Sequence, residues 1–230
     1  MLDTNQSVAD LVLEHSECAA VFQRFRIDFC CRGQMSVKAA AAQRKVELDA
    51  LTTELSKAIE ERRGDEPADM RTLSTPQLIE HIVSTHHAYL RSVLPFVRTL
   101  SSKVARVHGD HNPKLRELDA KLEVLEGALL PHLDEEEQVL FPRLIESDDP
   151  AALEPLLASM LDEHRAVGDL LASLREASDD FTPPAWACGS YRTLLAELGE
   201  LEHDVHVHVH IENNVLAPRF ARAANVPLTR

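Results

Sequence analysis

Aromatic residues and glycine are scarce: one Trp, two Tyr, seven Phe and seven Gly in 230 residues. Set beside long Leu/Ala/Glu/Arg stretches, that scarcity predicts an all-α protein. No uninterrupted apolar run reaches membrane-spanning length, which excludes a transmembrane helix. Basic stretches that could track phosphates are missing too, and the net charge is −14. Nucleic acid and anionic membrane surfaces are therefore excluded as partners. The opening residues, MLDTNQSVADLVLEHSE, are acidic and polar where a secretory signal is basic and then apolar, so a cytoplasmic location is expected. No Cys-x-x-Cys occurs, so neither a zinc ribbon nor a thioredoxin motif applies.

What the chain does have is twelve histidines, and one phrase written twice. The first copy is His132-Leu-Asp-Glu-Glu136-Glu-Gln-Val139-Leu140-Phe-Pro142-Arg143. The second is His208-Val-His-Ile-Glu212-Asn-Asn-Val215-Leu216-Ala-Pro218-Arg219. On a helix, residues four apart share a face, so each copy sets an imidazole beside a carboxylate. A carboxylate can bridge two cations and a neutral imidazole can ligate one. Two such pairs facing each other suggest a two-metal site.

Residues 1–65 form a first, small helical unit. Ser7 and Ser36 are candidate caps for Val8–His15 and Val37–Gln43, and helices over Glu17–Arg26 and Glu47–Arg63 complete it. Leu11, Val21, Phe22, Phe25 and Ile27 are its expected core. The stretch Gly64-Asp-Glu-Pro67-Ala-Asp is the expected linker. Residues 75–224 form a second unit of four long helices. The first starts at Thr75-Pro76, a cap followed by proline, and runs to about Val107; the second spans Lys114 to Glu146. The third follows Pro150 to about Ala177, and the fourth reaches about Ala224. Pro95, Pro131, Pro142 and Pro218 fall inside these spans and should kink or end them.

If the repeated pairs are buried ligands, they must sit in the apolar stripes. The second helix gives Leu118, Leu122, Leu125, Leu129, His132, Glu136, Leu140, the spacing of a bundle core. The fourth gives Leu194, Leu198, Leu201, Val205, His208, Glu212, Val215. The third gives Leu153, Leu157, Met160, His164, Val167, Leu171, Leu174, with His164 its single polar member. In the first helix both His86 and His87 fit a stripe, and the helical wheel slightly favours His86.

An isolated inward histidine is usually a satisfied core residue, and an i,i+4 His/Glu pair is usually a surface contact. The conjunction reverses that judgement. Burying even a neutral polar group without a partner costs roughly 2–7 kcal/mol, so two glutamates among four histidines call for a cation. Nitrogen and oxygen donors without thiolate suit iron, manganese or zinc; a carboxylate-bridged pair in a bundle is typically di-iron or di-manganese, and the histidine richness tilts the choice to iron. His206 and His210 point away from that set. The run Asp134-Glu-Glu-Glu137 is a solvated face except for Glu136.

The adjacent Cys30 and Cys31 would close a strained ring if joined, so they are expected as thiols, with Arg26 and Arg32 placed to favour thiolate. Two small hydrophobes in a turn is an equally good account of them. Cys18 and Cys188 are expected to be ordinary buried or partly buried thiols.

These motifs resemble those of the iron-sulfur cluster repair di-iron family, the YtfE/ScdA-like group, over nearly the whole chain. The amino-terminal part resembles its ScdA-type domain through Asp28-Phe-Cys30-Cys31-Arg-Gly33. The rest resembles its hemerythrin-like up-down four-helix bundle through Thr85-His-His87, Val107-His-Gly-Asp-His-Asn-Pro113, His132-x-x-x-Glu136, Asp162-Glu-His164 and His208-x-x-x-Glu212-Asn-Asn. The resemblance implies two non-haem iron ions held by His87, His132, Glu136, His164, His208 and Glu212. The glutamates would be bridging, and an oxo bridge is compatible. It selects His87 over His86 and sets Glu163 beside the third-helix ligand. It implies a role in repairing iron–sulfur clusters damaged by nitrosative or oxidative stress, with damaged iron–sulfur proteins as clients and the Cys30–Cys31 thiols implicated in the activity. Reduction of nitric oxide at the iron pair, or a hemerythrin-like sensor of oxygen or nitric oxide, or an iron store, are its alternatives. A homodimer is also compatible. Ala217 departs from the family, which usually has Phe there, and Leu90 stands where some relatives have a further histidine.

Overall fold

Capping chemistry and apolar spacing set the first helices. In the computed structural model, which describes residues 2–61, 69–147 and 149–221, Ser7 accepts the Asp10 N–H and opens α1 (Val8–Glu14). Ser36 does the same through the Ala39 N–H for α3 (Val37–Arg44). Between them lies α2 (Cys18–Arg24), and α4 (Leu48–Glu61) follows. Arg26 and Lys45 take left-handed backbone just past α2 and α3, the usual way a helix is stopped. The rest of the expected Glu47–Arg63 helix and nearly all of the expected linker lie outside the described residues.

The chain divides into two compact units, Met1–Leu78 with His206–Arg230, and Ile79–Val205. In the first, Val8, Leu11, Phe22, Ile27, Phe29, Val37, Leu51 and Leu55 are buried. Each contributes about 1.5–3 kcal/mol by leaving water. Phe25 is only half-buried, and Phe29 takes the core place expected of it. The intervening turn requires Gly33: a Cβ there would lie 2.3 Å from the Phe29 carbonyl oxygen and 2.8 Å from the Ala9 Cβ.

Next comes α5 (Thr75–His81), capped one residue earlier than expected. The Ser74 N–H and hydroxyl both donate to Gln77 Oε1, a capping-box arrangement. The second unit then holds α6 (Ala88–His108), α7 (Lys114–Glu135), α8 (Phe141–Glu146), α9 (Pro150–Ala177) and α10 (Gly189–Ile211) as far as Val205. Here α7 packs on both α6 and α9. A short α11 (Pro218–Ala221) ends the described chain in the first unit. Every residue of the three predicted stripes is buried. No strand occurs among the described residues; Ser7 and Ser36 make an isolated antiparallel bridge.

The prolines act in two ways. Helices α6 and α7 run through Pro95 and Pro131 without ending there. Ahead of Pro142 and Pro218 the helix widens into π turns, Glu136–Leu140 and Glu212–Leu216. The Glu136 and Glu212 carbonyls accept N–H groups five residues on, from Phe141 and Ala217. A proline supplies no N–H and crowds the carbonyl four residues back, so the ladder yields just before it. Each copy of the repeated phrase thus starts a π turn at its glutamate. A third π turn, Ile82–His87, precedes α6.

Candidate metal centre

In the second unit three imidazoles converge on one carboxylate. His87 Nε2 lies 3.4 Å from Glu136 Oε2, while His132 Nε2 and His164 Nε2 lie 3.3 and 3.7 Å from Glu136 Oε1. The four residues come from the π turn before α6, from the end of α7, from the π turn after it and from α9. Glu136 is 2 % exposed and His87 and His164 are 1 % exposed, so water screens none of them appreciably. The two π turns supply His87 and Glu136 from their last and first residues.

The far side of two of these rings is tied to an outer carboxylate. His87 Nδ1 is 2.9 Å from Glu137 Oε1, and His132 Nδ1 is 2.7 Å from Glu163 Oε2. Since a carboxylate only accepts, Nδ1 carries the proton in each ring and Nε2 presents its lone pair to the Glu136 side. This is the arrangement by which proteins orient metal-binding histidines. Burial pushes the Glu137 carboxyl up, but hydrogen bonds from His87 and Arg91, together with the charge of Arg91, outweigh it and hold Glu137 below the usual carboxylate range. The expectation that Glu137 belongs to a solvated face is thereby corrected: within the run Asp134 and Glu135 are exposed, while Glu137 is half-buried.

Adjacent histidines end up with different partners. His86 and His87 are both buried, because the wide π turn lets neighbouring residues pack inward together. His87 reaches Glu136, whereas His86 Nδ1 pairs at 2.8 Å with Asp204 Oδ1 on α10.

In the first unit the second copy of the phrase places His208 Nε2 3.1 Å from Glu212 Oε1, both fully buried. The residues just beyond them hold the cysteine turn. Asn213 and Asn214 each donate from Nδ2 to the Cys30 carbonyl at 3.1 Å, and Asn213 Nδ2 stands 3.7 Å from Cys31 Sγ. His210 Nδ1 donates to the Phe29 carbonyl at 3.1 Å. Burial pushes that imidazole down to about 4, and the carbonyl opposes the shift only in part. Nothing in the composition of the second phrase pointed to these asparagines, which act on a segment more than 180 residues away.

Cys30 and Cys31 form no disulfide; their sulfurs are 3.6 Å apart. The Cys30 thiol is pushed well above its ordinary range, first by the hydrogen bond with Cys31, then by burial and by Asp28. The neighbouring arginines therefore do not make Cys30 a thiolate. Cys18 is buried and pushed up to about 12, mainly by that burial, while Cys188 is exposed, 3.2 Å from His108 Nε2.

A helical core that converges nitrogen and carboxylate donors, with outer carboxylates fixing the rings, is built for a cation. Comparison with known proteins agrees. The hemerythrin HHE cation binding domain profile matches residues 78–220, and the ScdA_N profile, described as a domain of unknown function (DUF542), matches residues 4–59. The chain is 33% identical over 215 residues to the iron-sulfur cluster repair protein YtfE of Enterobacter sp. (strain 638), covering 94% of this chain and 96% of that one. It is 32% identical over 222 residues to the iron-sulfur cluster repair protein ScdA of Staphylococcus haemolyticus (strain JCSC1435), covering 95% and 99%. A YtfE of Yersinia pseudotuberculosis serotype O:1b is 34% identical over 218 residues, covering 95% and 97%. The chain belongs to the hemerythrin HHE cation-binding family, in its form with an ScdA-type amino-terminal domain.

The outer carboxylates carry a prediction. Glu163→Ala frees the His132 ring to rotate and change tautomer, so metal affinity should fall roughly 10–100-fold, the usual cost of losing such a partner. Competition against a chelator measures it, and an unchanged affinity would make the Glu163 contact incidental.

Proposed function

We propose that this chain is a di-iron protein that supports the repair of iron–sulfur clusters damaged by nitrosative or oxidative stress. The observation that carries the reading is the convergence of His87, His132 and His164 on Glu136, with outer carboxylates leaving the Nε2 lone pairs of His87 and His132 on its side. His208 and Glu212, brought together by the same sequence phrase and the same π turn, are the residues proposed to complete the site. The cation-binding profile spans all six. Glu136 and Glu212 would then bridge, and each ion would take two imidazoles.

Donors limited to imidazole and carboxylate suit non-haem iron. A bound iron pair would supply redox chemistry and affinity for nitric oxide or oxygen. The protein's own residues orient the rings, keep the protons on Nδ1 by offering it the outer carboxylates as acceptors, and exclude water.

The repair reading is supported by the relatives, which carry the name iron-sulfur cluster repair protein over nearly the full chain. The proposed clients are damaged iron–sulfur proteins. Iron-loaded protein incubated anaerobically with a nitric-oxide-damaged iron–sulfur enzyme is expected to restore that enzyme's activity. Failure to reactivate, with catalytic nitrous oxide release from nitric oxide instead, would replace repair by direct reduction.

A further inference from the structure

The turn between α2 and α3 holds a second group of metal-binding side chains, distinct from the histidines. One ligand atom each from Asp28, Cys30 and Cys31 lie within 4.8 Å of one another. In extended chain, successive side chains point to opposite faces. Here a bend over residues 30–32 swings both sulfurs to one side, 3.6 Å apart. Asp28 Oδ1 accepts the backbone N–H groups of Cys30 at 3.1 Å and Cys31 at 2.8 Å, and lies 3.4 Å from Cys30 Sγ. These bonds anchor the carboxylate over the thiols, and the Asn213 and Asn214 amides hold the Cys30 carbonyl behind them.

These separations match the edges of a small coordination polyhedron. Two thiolates bound tetrahedrally at about 2.3 Å stand about 3.8 Å apart, and a thiolate and a carboxylate oxygen at about 2.0 Å stand about 3.5 Å apart. A disulfide would need the sulfurs near 2.05 Å, so the pair sits at chelating distance and not at bonding distance. Cys31 and Asp28 are half-buried, which leaves an approach from solvent, while buried Cys30 forms the inner wall.

We propose that Asp28, Cys30 and Cys31 form a mononuclear site for a thiolate-seeking divalent transition metal such as ferrous iron or zinc. Each thiol that becomes a ligand gives up its proton to solvent, and solvent completes the coordination. Hard ions such as magnesium and calcium, which take oxygen ligands, are not accepted. The site stands on this turn alone and does not depend on the function proposed for the histidine centre.

Cobalt(II) is the probe, added anaerobically to full-length, iron-loaded, reduced protein. The expected result is a thiolate-to-cobalt charge-transfer band that saturates at one cobalt per chain and is bleached by zinc. The same band should appear in Glu136→Ala, so a failure of the histidine centre and a failure of this site are separable. Cys31→Ser, an isosteric change at a half-buried position, should abolish the band. Asp28→Asn, which keeps the turn's hydrogen bonds, should weaken cobalt binding about tenfold or more. Helical circular dichroism shows that both variants are folded. A wild-type protein without the band, or a Cys31→Ser variant that keeps it, would overturn the proposal.

Discussion

Glu136→Ala is expected to empty the metal centre. Three imidazoles face this one carboxylate, at 3.4, 3.3 and 3.7 Å, so its loss removes the donor they share. Iron should fall from about two per chain, the stoichiometry of di-iron bundles, to less than half of that. The loss of affinity should exceed the roughly 10–100-fold expected for an outer partner such as Glu163. Metal that binds only the folded chain adds stability by mass action, about 4 kcal/mol when free metal is a thousandfold above its dissociation constant. For a chain of this size that corresponds to a melting temperature about 8–16 °C higher. Chelation should therefore lower the melting temperature of the wild type by about that amount and barely change that of the variant. Full iron content in Glu136→Ala, or a wild-type melting temperature indifferent to chelator, would refute the central role of this carboxylate. Glu212→Ala tests the second repeat in the same way.

Arg175→Met should cost more stability than any surface substitution in the chain, and it should do so without metal. Arg175 holds Glu202 through Nε at 2.8 and 3.1 Å and through a further contact from Nη2. Glu202 is 2 % exposed, so the pair is largely desolvated. Removing one side of such a buried pair costs about 3–5 kcal/mol. The same guanidinium contacts Asp180 at 3.5 Å and stacks 4.7 Å from the centre of the Phe181 ring. Asp179, Asp180 and Phe181 all take left-handed backbone, an unfavourable conformation for residues with a Cβ, so Arg175 also holds a strained loop in place. The expected fall in melting temperature is about 6–20 °C in thermal denaturation. The double variant Arg175→Met, Glu202→Leu should recover much of the loss, because an apolar pair leaves no buried charge. A single variant as stable as wild type would place the pair among the many ion pairs that contribute nothing.

The helices and their inward faces were legible in the sequence because both follow from local rules. Apolar residues three and four apart, serine caps and breaks at Asp/Pro clusters predict where helices lie and which side packs. His132, Glu136, His164, His208 and Glu212 continued those stripes, and all are buried. Where the local rule was overridden, a specific competitor was responsible. Gln77 fixed the start of α5 at Ser74, and Pro142 and Pro218 act through widened turns ahead of them. Phe29, in the turn that closes at Gly33, is buried, while Phe25 is only half-buried.

The sequence by itself determined the class of the fold, the two repeated histidine–glutamate pairs and the presence of a thiol pair upstream, since spacing along a helix is enough to set them on one face. Helical periodicity left His86 and His87 open, the family motif selected His87, and the tertiary structure sets His87 against Glu136; only the tertiary structure decided that Glu137 leaves the solvated face to hold His87, and that Asn213 and Asn214 clasp the Cys30 carbonyl. Those contacts join residues from about 50 to more than 180 positions apart. Helical periodicity carries no information over such separations; packing of one helix against another, and the extra rotation of a π turn, supply it.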